Sequence, residues 1–324
     1  MRAAFHTERG PIADVVTVGE LPTPEPGENE VRIKVAYAGV NPTDWKFCEG
    51  AMPMNTPTQV FMQDGSGTID AVGPGVSPAR IGERVWVYLA AHNRAWATAA
   101  EYSVVTSAQA IALPDHVGFA QAAGIAIPYL TAHACLYASG PIEGTTILVA
   151  GGAGAVGHAA IELAVLGGAT VITTVSSPEK AELARAAGAH HVVNYREADA
   201  ADQIRALAPH GIDRIVEVAI TTNLALDLAV IKNHGAIVTY ASEPAGDPTI
   251  PVRALMTNNV TLQFVLLYNF TAQQLESAIA AITSALEGGH LTAMPEITFP
   301  LEQTAQALEA VKAGAPAKVL VALD

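Results

Sequence analysis

Between Thr145 and Ala241 the chain alternates short apolar runs with stretches of helical periodicity, and few folds accept that pattern. The runs are TTILVA (145–150), ATVITTV (169–175), HHVVNY (190–195), DRIVEVA (213–219) and AIVTYA (236–241). Helical stretches begin at Val156 and at Pro178, lie near Gln203, and end at Lys232. Strands that are apolar throughout need cover on both faces, so the pattern predicts a doubly wound parallel sheet of α/β class with helices on each side. One connecting helix is signalled residue by residue: Ser177 suits the N-cap, Pro178 the first turn, and Gly188 the left-handed turn that ends it.

The first run leads into VAGGAGAVGHAA (149–160). Here Gly152, Ala153, Gly154, Ala155, Val156 and Gly157 spell G-x-G-x-x-G between a predicted strand and a predicted helix, and that context gives the motif its weight. The first glycine permits the tight turn, the second lets backbone approach a pyrophosphate, and the third lets helix pack on strand. Free N–H groups at the helix start meet the anion. A dinucleotide is therefore expected, against the alternative of a tight turn with no ligand.

Enzymes that prefer NAD end the second strand with an acid on the ribose 2′-hydroxyl. This chain has Ser176 and Ser177 there, with Lys180 and Arg196 on the following helix and loop. Cations at that edge favour a 2′-phosphate, so NADPH is the expected cofactor. Glu179 opposes this weakly, and the competing reading of Lys180 and Arg196 is solvated surface charge.

The remainder has a different texture. VRIKVAYAGV (31–40), GTIDAVGPGV (67–76), ERVWVYLA (83–90) and AEYSVV (100–105), with prolines at 22, 24 and 26, predict a compact antiparallel, barrel-like domain. After Thr261 come TLQFVLLY (261–268), two helical stretches (273–289 and 301–314) and AKVLVAL (317–323), which either extend the parallel sheet or return to the first domain. The expected division is 1–123 for the β-rich domain, 124–268 for the nucleotide domain and 269–324 for a segment returning to the first.

Seventeen basic against 31 acidic residues, a net charge of −14, repel a polyanion, so nucleic acid is not an expected partner. Two cysteines, Cys48 and Cys135, build neither a disulfide framework nor a four-thiolate zinc lobe. The N-terminus lacks a signal-peptide core and no apolar run reaches membrane-spanning length, so a soluble, cytoplasmic protein is expected.

Taken together, AYAGVNPTDWKFCEG (36–50), DGSGTIDAVGPGV (64–76), GERVW (82–86), AAGIAIPYLTAHACL (122–136), VAGGAGAVG (149–157), GAHHVVNYRE (188–197) and GIDRIVEV (211–218) resemble the medium-chain dehydrogenase/reductase superfamily. The likeness is to its zinc-free quinone oxidoreductase (zeta-crystallin-like) branch and covers nearly the whole length. It implies a Rossmann domain beside a GroES-like β-rich catalytic domain. It also implies pyrophosphate contacts from Ala153, Gly154, Ala155 and Val156, and places Ser176, Lys180 and Tyr195 around the adenosine ribose with Asn223 nearby. Ala241, Ser242, Val265 and Leu266 would then lie on the nicotinamide side. Homologues commonly dimerise by pairing edge strands, and TLQFVLLY is the strand expected to pair.

Relatives that hold catalytic zinc use a cysteine and a histidine where this chain has Asn41, in VNPTDW, and Gln63, in FMQDGSG. Neither amide is a good zinc ligand, and none of the ten histidines forms a pair at helical ligand spacing, so no metal is expected. Without a Lewis acid, oxidising a plain alcohol is difficult. A quinone or α,β-unsaturated carbonyl accepts hydride at carbon while charge moves to a distant oxygen, where one or two hydrogen-bond donors suffice.

Asn41, Lys46 and Thr131 are the candidate donors. In the family the NPTDWK loop faces the nicotinamide and IPYLTA (127–132) borders it; many relatives carry tyrosine at the Lys46 position. A competing account makes Asn41-Pro42 a turn, pairs Asp44 with Lys46, buries Trp45 in a core, and treats Pro128 and Tyr129 as the start of a helix. Met52, Met54, Phe61 and Met62 read either as a pocket wall or as core. There is no G-x-S-x-G elbow, and Cys48, between Lys46 and Glu49, is a poor nucleophile candidate. The expected activity is zinc-independent, NADPH-dependent reduction of a quinone or conjugated carbonyl. A reductase of enoyl thioesters or enoates, and a non-catalytic dinucleotide-binding protein of crystallin type, are the alternatives.

Overall fold

The computed structural model describes residues 1–54, 56–241 and 248–323. The chain forms two compact units, Met1–Ile127 with Ala293–Asp324, and Pro128–Thr292.

In the first unit the spine is the ten-residue strand Glu30–Gly39. Its alternation buries Val31, Ile33 and Val35 in one core with Ile69, Val85 and Val87 of neighbouring strands. The strand pairs antiparallel with Asp64–Val72 on one side and with Tyr102–Thr106 and Lys318–Ala322 along the other. Gly39 can carry no side chain, because a Cβ there would lie 1.9 Å from the Ala123 carbonyl oxygen. A strand with no counterpart in the sequence reading, Glu296–Pro300, runs parallel to Lys318–Ala322 at the sheet edge. Most of its residues are exposed, so no apolar alternation marks it.

The second unit holds a six-stranded sheet in the order His191–Asn194, Thr170–Val175, Thr146–Ala150, Ile212–Glu217, Ile231–Thr239 and Thr261–Phe264, every pair parallel. Numbered along the unit this is 3-2-1-4-5-6, the doubly wound order whose reversal lies beside the first strand. The five expected runs all become strands of this sheet, and a sixth strand extends it. Two boundaries differ from expectation. Lys232 does not end a helix: the helix stops at Val230, and residues 231–235 form an irregular start to the strand, with Ile231 opposite Ile212 and Ala236 opposite Arg214. His234 takes a left-handed φ of 59° in that bulge. Helix Ala272–Glu287, read from sequence as part of the returning segment, belongs to the second unit, and its Ala278, Ile282, Ala285 and Leu286 are buried. Among the described residues no helix is long and apolar enough to cross a membrane.

Candidate functional site

The glycine turn follows strand Thr146–Ala150. Gly151 takes a positive φ of 71°, and the N–H groups of Gly151 and Gly152 both donate to the Thr174 carbonyl, at 3.1 and 3.2 Å. Gly152 is packed shut: a Cβ would meet Thr173 Oγ1 at 2.1 Å. Gly157 is equally closed, with the Gly151 carbonyl 2.3 Å from its missing Cβ. Gly154 differs, since its nearest neighbour in that direction is 3.4 Å away. It caps helix Ala155–Leu166 without any side-chain cap, and first-turn N–H groups have no intrahelical acceptor. A close-packed glycine on each flank, an open one between them and uncapped donors are what a pyrophosphate needs, so this turn fits a dinucleotide.

The register of the two strands beyond it sets Val175 opposite Asn194, which brings Ser176 and Tyr195 to the same end of the sheet. Tyr195 is 43% exposed. Ser177 caps the next helix as expected, accepting from Lys180 N at 3.4 Å, and its hydroxyl also bonds Glu179. Its hydroxyl is thus engaged within the helix cap. Neither Lys180 nor Arg196 pairs with a carboxylate among the described residues. The Asn223 amide donates to Glu217 Oε1 at 3.0 Å. Val265 continues the edge strand through its N–H to Thr239 O, and Leu266 is exposed. The Ala241 carbonyl accepts from Thr239 Oγ1 at 3.2 Å, while Ser242 lies outside the described residues.

Asn41 belongs to a buried polar cluster in the first unit. Its Nδ2 donates to Asp64 Oδ2 at 2.7 Å, its Oδ1 accepts from Lys318 Nζ at 2.9 Å, and its side chain is almost wholly buried. Asn41-Pro42 is not an open turn: Pro42 starts the helix Pro42–Cys48, and Asp44 Oδ2 reaches back to accept Asn41 N–H at 2.7 Å. Asp44 therefore points inward and does not pair with Lys46, which lies two residues on and faces another side of the helix. The Lys46 ammonium sits 5.8 Å from the Trp45 ring centre. The Gln63 Oε1 accepts Ala91 N–H at 3.1 Å. Asp64 also accepts Ile127 N–H at 3.1 and 3.2 Å.

Burial pushes the Asp44 carboxyl up to about 8 and that of Asp64 up to about 6, and it lowers Lys318. Each aspartate holds a proton in the folded chain where an unfolded one has lost it. Their contribution to stability therefore declines as pH rises from about 4, until about 6 for Asp64 and about 8 for Asp44. Asp44→Asn is expected to flatten the fall between pH about 6 and 8, read as Tm against pH in matched buffers. An unchanged slope would mean that Asp44 is ionised throughout.

Thr131 is buried in helix Ala126–Tyr137. Phe61 and Met62 are core, whereas Met52 is exposed. Cys48 is buried, with its thiol pushed up to about 11 by that burial, which removes it as a nucleophile.

Two buried acid networks had no signal in the sequence reading. Glu162 Oε2 accepts Tyr129 OH at 2.5 Å, and Oε1 accepts Thr292 N–H at 2.8 Å and Thr292 Oγ1 at 2.6 Å, with His158 Nε2 at 3.3 Å. The Glu217 carboxylate accepts from Ala219 N–H and Asn223 Nδ2, and burial together with the Glu217 charge raises the carboxyl of Asp227. Only the i, i+4 spacing of His158 and Glu162 was visible locally.

Residues 27–135 match the family model described as an alcohol dehydrogenase GroES-like domain, and residues 155–284 that of a zinc-binding dehydrogenase. The chain is 32% identical to the quinone oxidoreductase of Sus scrofa, over 94% of this chain and 92% of that protein. A solved NAD-dependent alcohol dehydrogenase superposes with a TM-score of 0.91 at 28% identity, covering all of both chains. A mycobacterial protein solved in complex with NADPH gives 0.86 at 29% identity, covering 99% of each. The chain belongs to the medium-chain dehydrogenase/reductase superfamily, in its quinone oxidoreductase (zeta-crystallin-like) branch.

Proposed function

We propose that this chain is a zinc-independent, NADPH-dependent reductase that passes hydride to a quinone or an α,β-unsaturated carbonyl. The observation that carries this reading is the state of the two amides. Asn41 Oδ1 already accepts from Lys318, and Gln63 Oε1 from Ala91 N–H. Amide oxygens are poor zinc ligands to begin with, and these two are aimed at protein donors. With no strong ligand at either position, an acceptor that disperses its own charge is the better substrate.

NADPH, when bound, supplies the hydride. Gly154 and the N–H groups of Ala155 and Val156 would hold the pyrophosphate and Lys180 and Arg196 the 2′-phosphate, and Asn41, Lys46 and Thr131 would serve as the donors, with solvent giving the proton. The NADPH bound to the mycobacterial neighbour supports this choice of cofactor. Lys180→Ala is expected to raise KM for NADPH at least about tenfold more than KM for NADH, a differential of about 1.4 kcal/mol. Equal effects would remove Lys180 from the phosphate site. Lys46→Met is expected to lower turnover of an enone at least about tenfold, or about 1.4 kcal/mol of barrier, and an unchanged rate would make it scaffold.

The direct test is steady-state oxidation of NADPH and NADH against quinones, enones, enoyl thioesters and secondary alcohols, with and without a chelator. Chelator-sensitive alcohol oxidation would overturn the reading. Binding of NADPH with no turnover on any of them would favour the crystallin-type alternative. The proposed assembly is a cytoplasmic homodimer formed through edge strand Thr261–Phe264, where Phe264 is 68% exposed. Light scattering that returned the monomer mass would refute it.

A further inference from the structure

Three adjacent strands of the first unit meet in one row. In sheet order they are Lys318–Ala322, Glu30–Gly39 and Asp64–Val72. Leu320 lies opposite Gly39, and Gly39 lies opposite Asp64. Carried two residues further, the antiparallel register sets Lys318 against Asn41, and Val40 N–H to Val319 O at 3.0 Å continues the ladder.

The Asn41 amide is thereby held between opposite charges. Its oxygen accepts from the Lys318 ammonium at 2.9 Å and its nitrogen donates to the Asp64 carboxylate at 2.7 Å. A side-chain amide has almost the same shape after half a turn about its last bond, so shape alone does not select an orientation. The neighbours select it. Turned over, the NH2 group would face an ammonium and the oxygen a carboxylate, converting two attractions into two repulsions in a buried setting.

Lys318 is held in turn by Val40 O at 3.1 Å, and Asp64 by Ile127 N–H. The third titratable group of the cluster, Asp44 on helix Pro42–Cys48, accepts the Asn41 backbone N–H and leaves the amide alone. Of the two amide protons, one goes to Asp64, while the contact with Gly39 O is 3.4 Å, long for a hydrogen bond.

We propose that Lys318 and Asp64 are positioning residues that lock the Asn41 amide with its N–H toward the acceptor's oxygen and polarise that N–H through the ammonium on its carbonyl. The proposal rests on the reading of Asn41 as a donor in quinone or enone reduction. Lys318 does not touch the acceptor and works only through Asn41.

A double-mutant cycle on the full chain tests it, with NADPH and 1,4-naphthoquinone as probes. Lys318→Met and Asp64→Asn are each expected to lower kcat at least about tenfold, with KM for NADPH within about twofold of wild type. In an Asn41→Ala background, adding either change is expected to cost less than about a further twofold. Lys318→Arg is expected to recover part of the loss. Full, additive losses in that background, or an unchanged kcat in Lys318→Met, would overturn the proposal. Should Lys318→Met fail to fold, Asp64→Asn carries the cycle alone.

The side-chain NH2 resonance of Asn41, identified by its loss in Asn41→Ala, gives a readout free of activity. It is expected to move in both Lys318→Met and Asp64→Asn, and a resonance unmoved in both would refute the lock. Wild-type protein that binds NADPH but turns it over with none of the quinones or enones would defeat the functional reading, while the resonance would still judge the lock.

Discussion

An alanine at Gly157 is expected to destabilise the protein by about 3 kcal/mol or more and to abolish cofactor binding with it. The added Cβ would lie 2.3 Å from the Gly151 carbonyl oxygen and 2.9 Å from Gly152 Cα. Both are backbone atoms of the tight turn itself, so no side chain can rotate away and the turn must open. Gly154→Ala is the informative partner. Its φ of −81° suits any residue and its Cβ would meet nothing nearer than 3.4 Å, so the expected stability cost is under about 1 kcal/mol. A pyrophosphate lying against that backbone would nevertheless be displaced, and KM for NADPH is expected to rise at least about tenfold. Thermal unfolding and cofactor titration of the two variants separate the effects. If Gly154→Ala binds NADPH as wild type does, the phosphates do not pass over this turn.

Glu162→Ala is expected to cost about 3 kcal/mol or more, because it strands several buried groups together. Tyr129 OH, Thr292 N–H and Thr292 Oγ1 all donate to this carboxylate, and His158 lies against it. Glu162→Gln keeps the shape and an acceptor, so a smaller loss of about 1–2 kcal/mol is expected. The pH response should have the sign opposite to that of Asp44. Burial raises the Glu162 carboxyl, but hydrogen bonds from His158, Thr292 and Tyr129 outweigh it and leave it below the ordinary value. Its contribution is therefore present above the unfolded pKa and disappears as pH falls through the lower folded one. Chemical denaturation of wild type and Glu162→Gln at pH about 3 and about 6 should show the difference shrinking in acid. A difference that stayed constant would mean that the charge contributes nothing.

The network also changes how three isolated residues are read. From sequence, His158 is one of ten scattered histidines and Tyr129 part of a helix start, while Glu162 carries no signal of its own. In the folded chain they bond one another and Thr292, the last residue of the second unit. The helix that carries His158 and Glu162 begins at the glycine turn, so its start and its middle serve different ends. The start is left bare for a ligand, whereas the middle is committed to internal polar contacts.

The features that were legible share one property: the interactions that decide them lie within a few residues. The Gly151–Gly157 turn, the Ser177 cap with Pro178 after it, and the apolar runs of the parallel sheet are set by local sterics and by burial on both faces. Local patterning also has limits. Strand Glu296–Pro300 carries no apolar alternation because its edge position exposes it, and the bulge at 231–235 depends on how Ile212 and Arg214 meet their partners. The Asp44–Lys46 pair, plausible from spacing alone, does not form because Asp44 is needed at its own helix start.

By itself, then, the amino-acid sequence determined the two-part architecture, the doubly wound sheet and the position of the glycine turn, since backbone sterics and periodic burial act at short range. Tertiary structure alone decided the surroundings of Asn41. Lys318 stands 277 residues from it and Asp64 stands 23 away, and they meet only because strand register sets Lys318 across from Asn41 and Asp64 across from Gly39, two residues before it. Register is chosen by the burial of whole strands, so the charges it brings together cannot be read from any single segment.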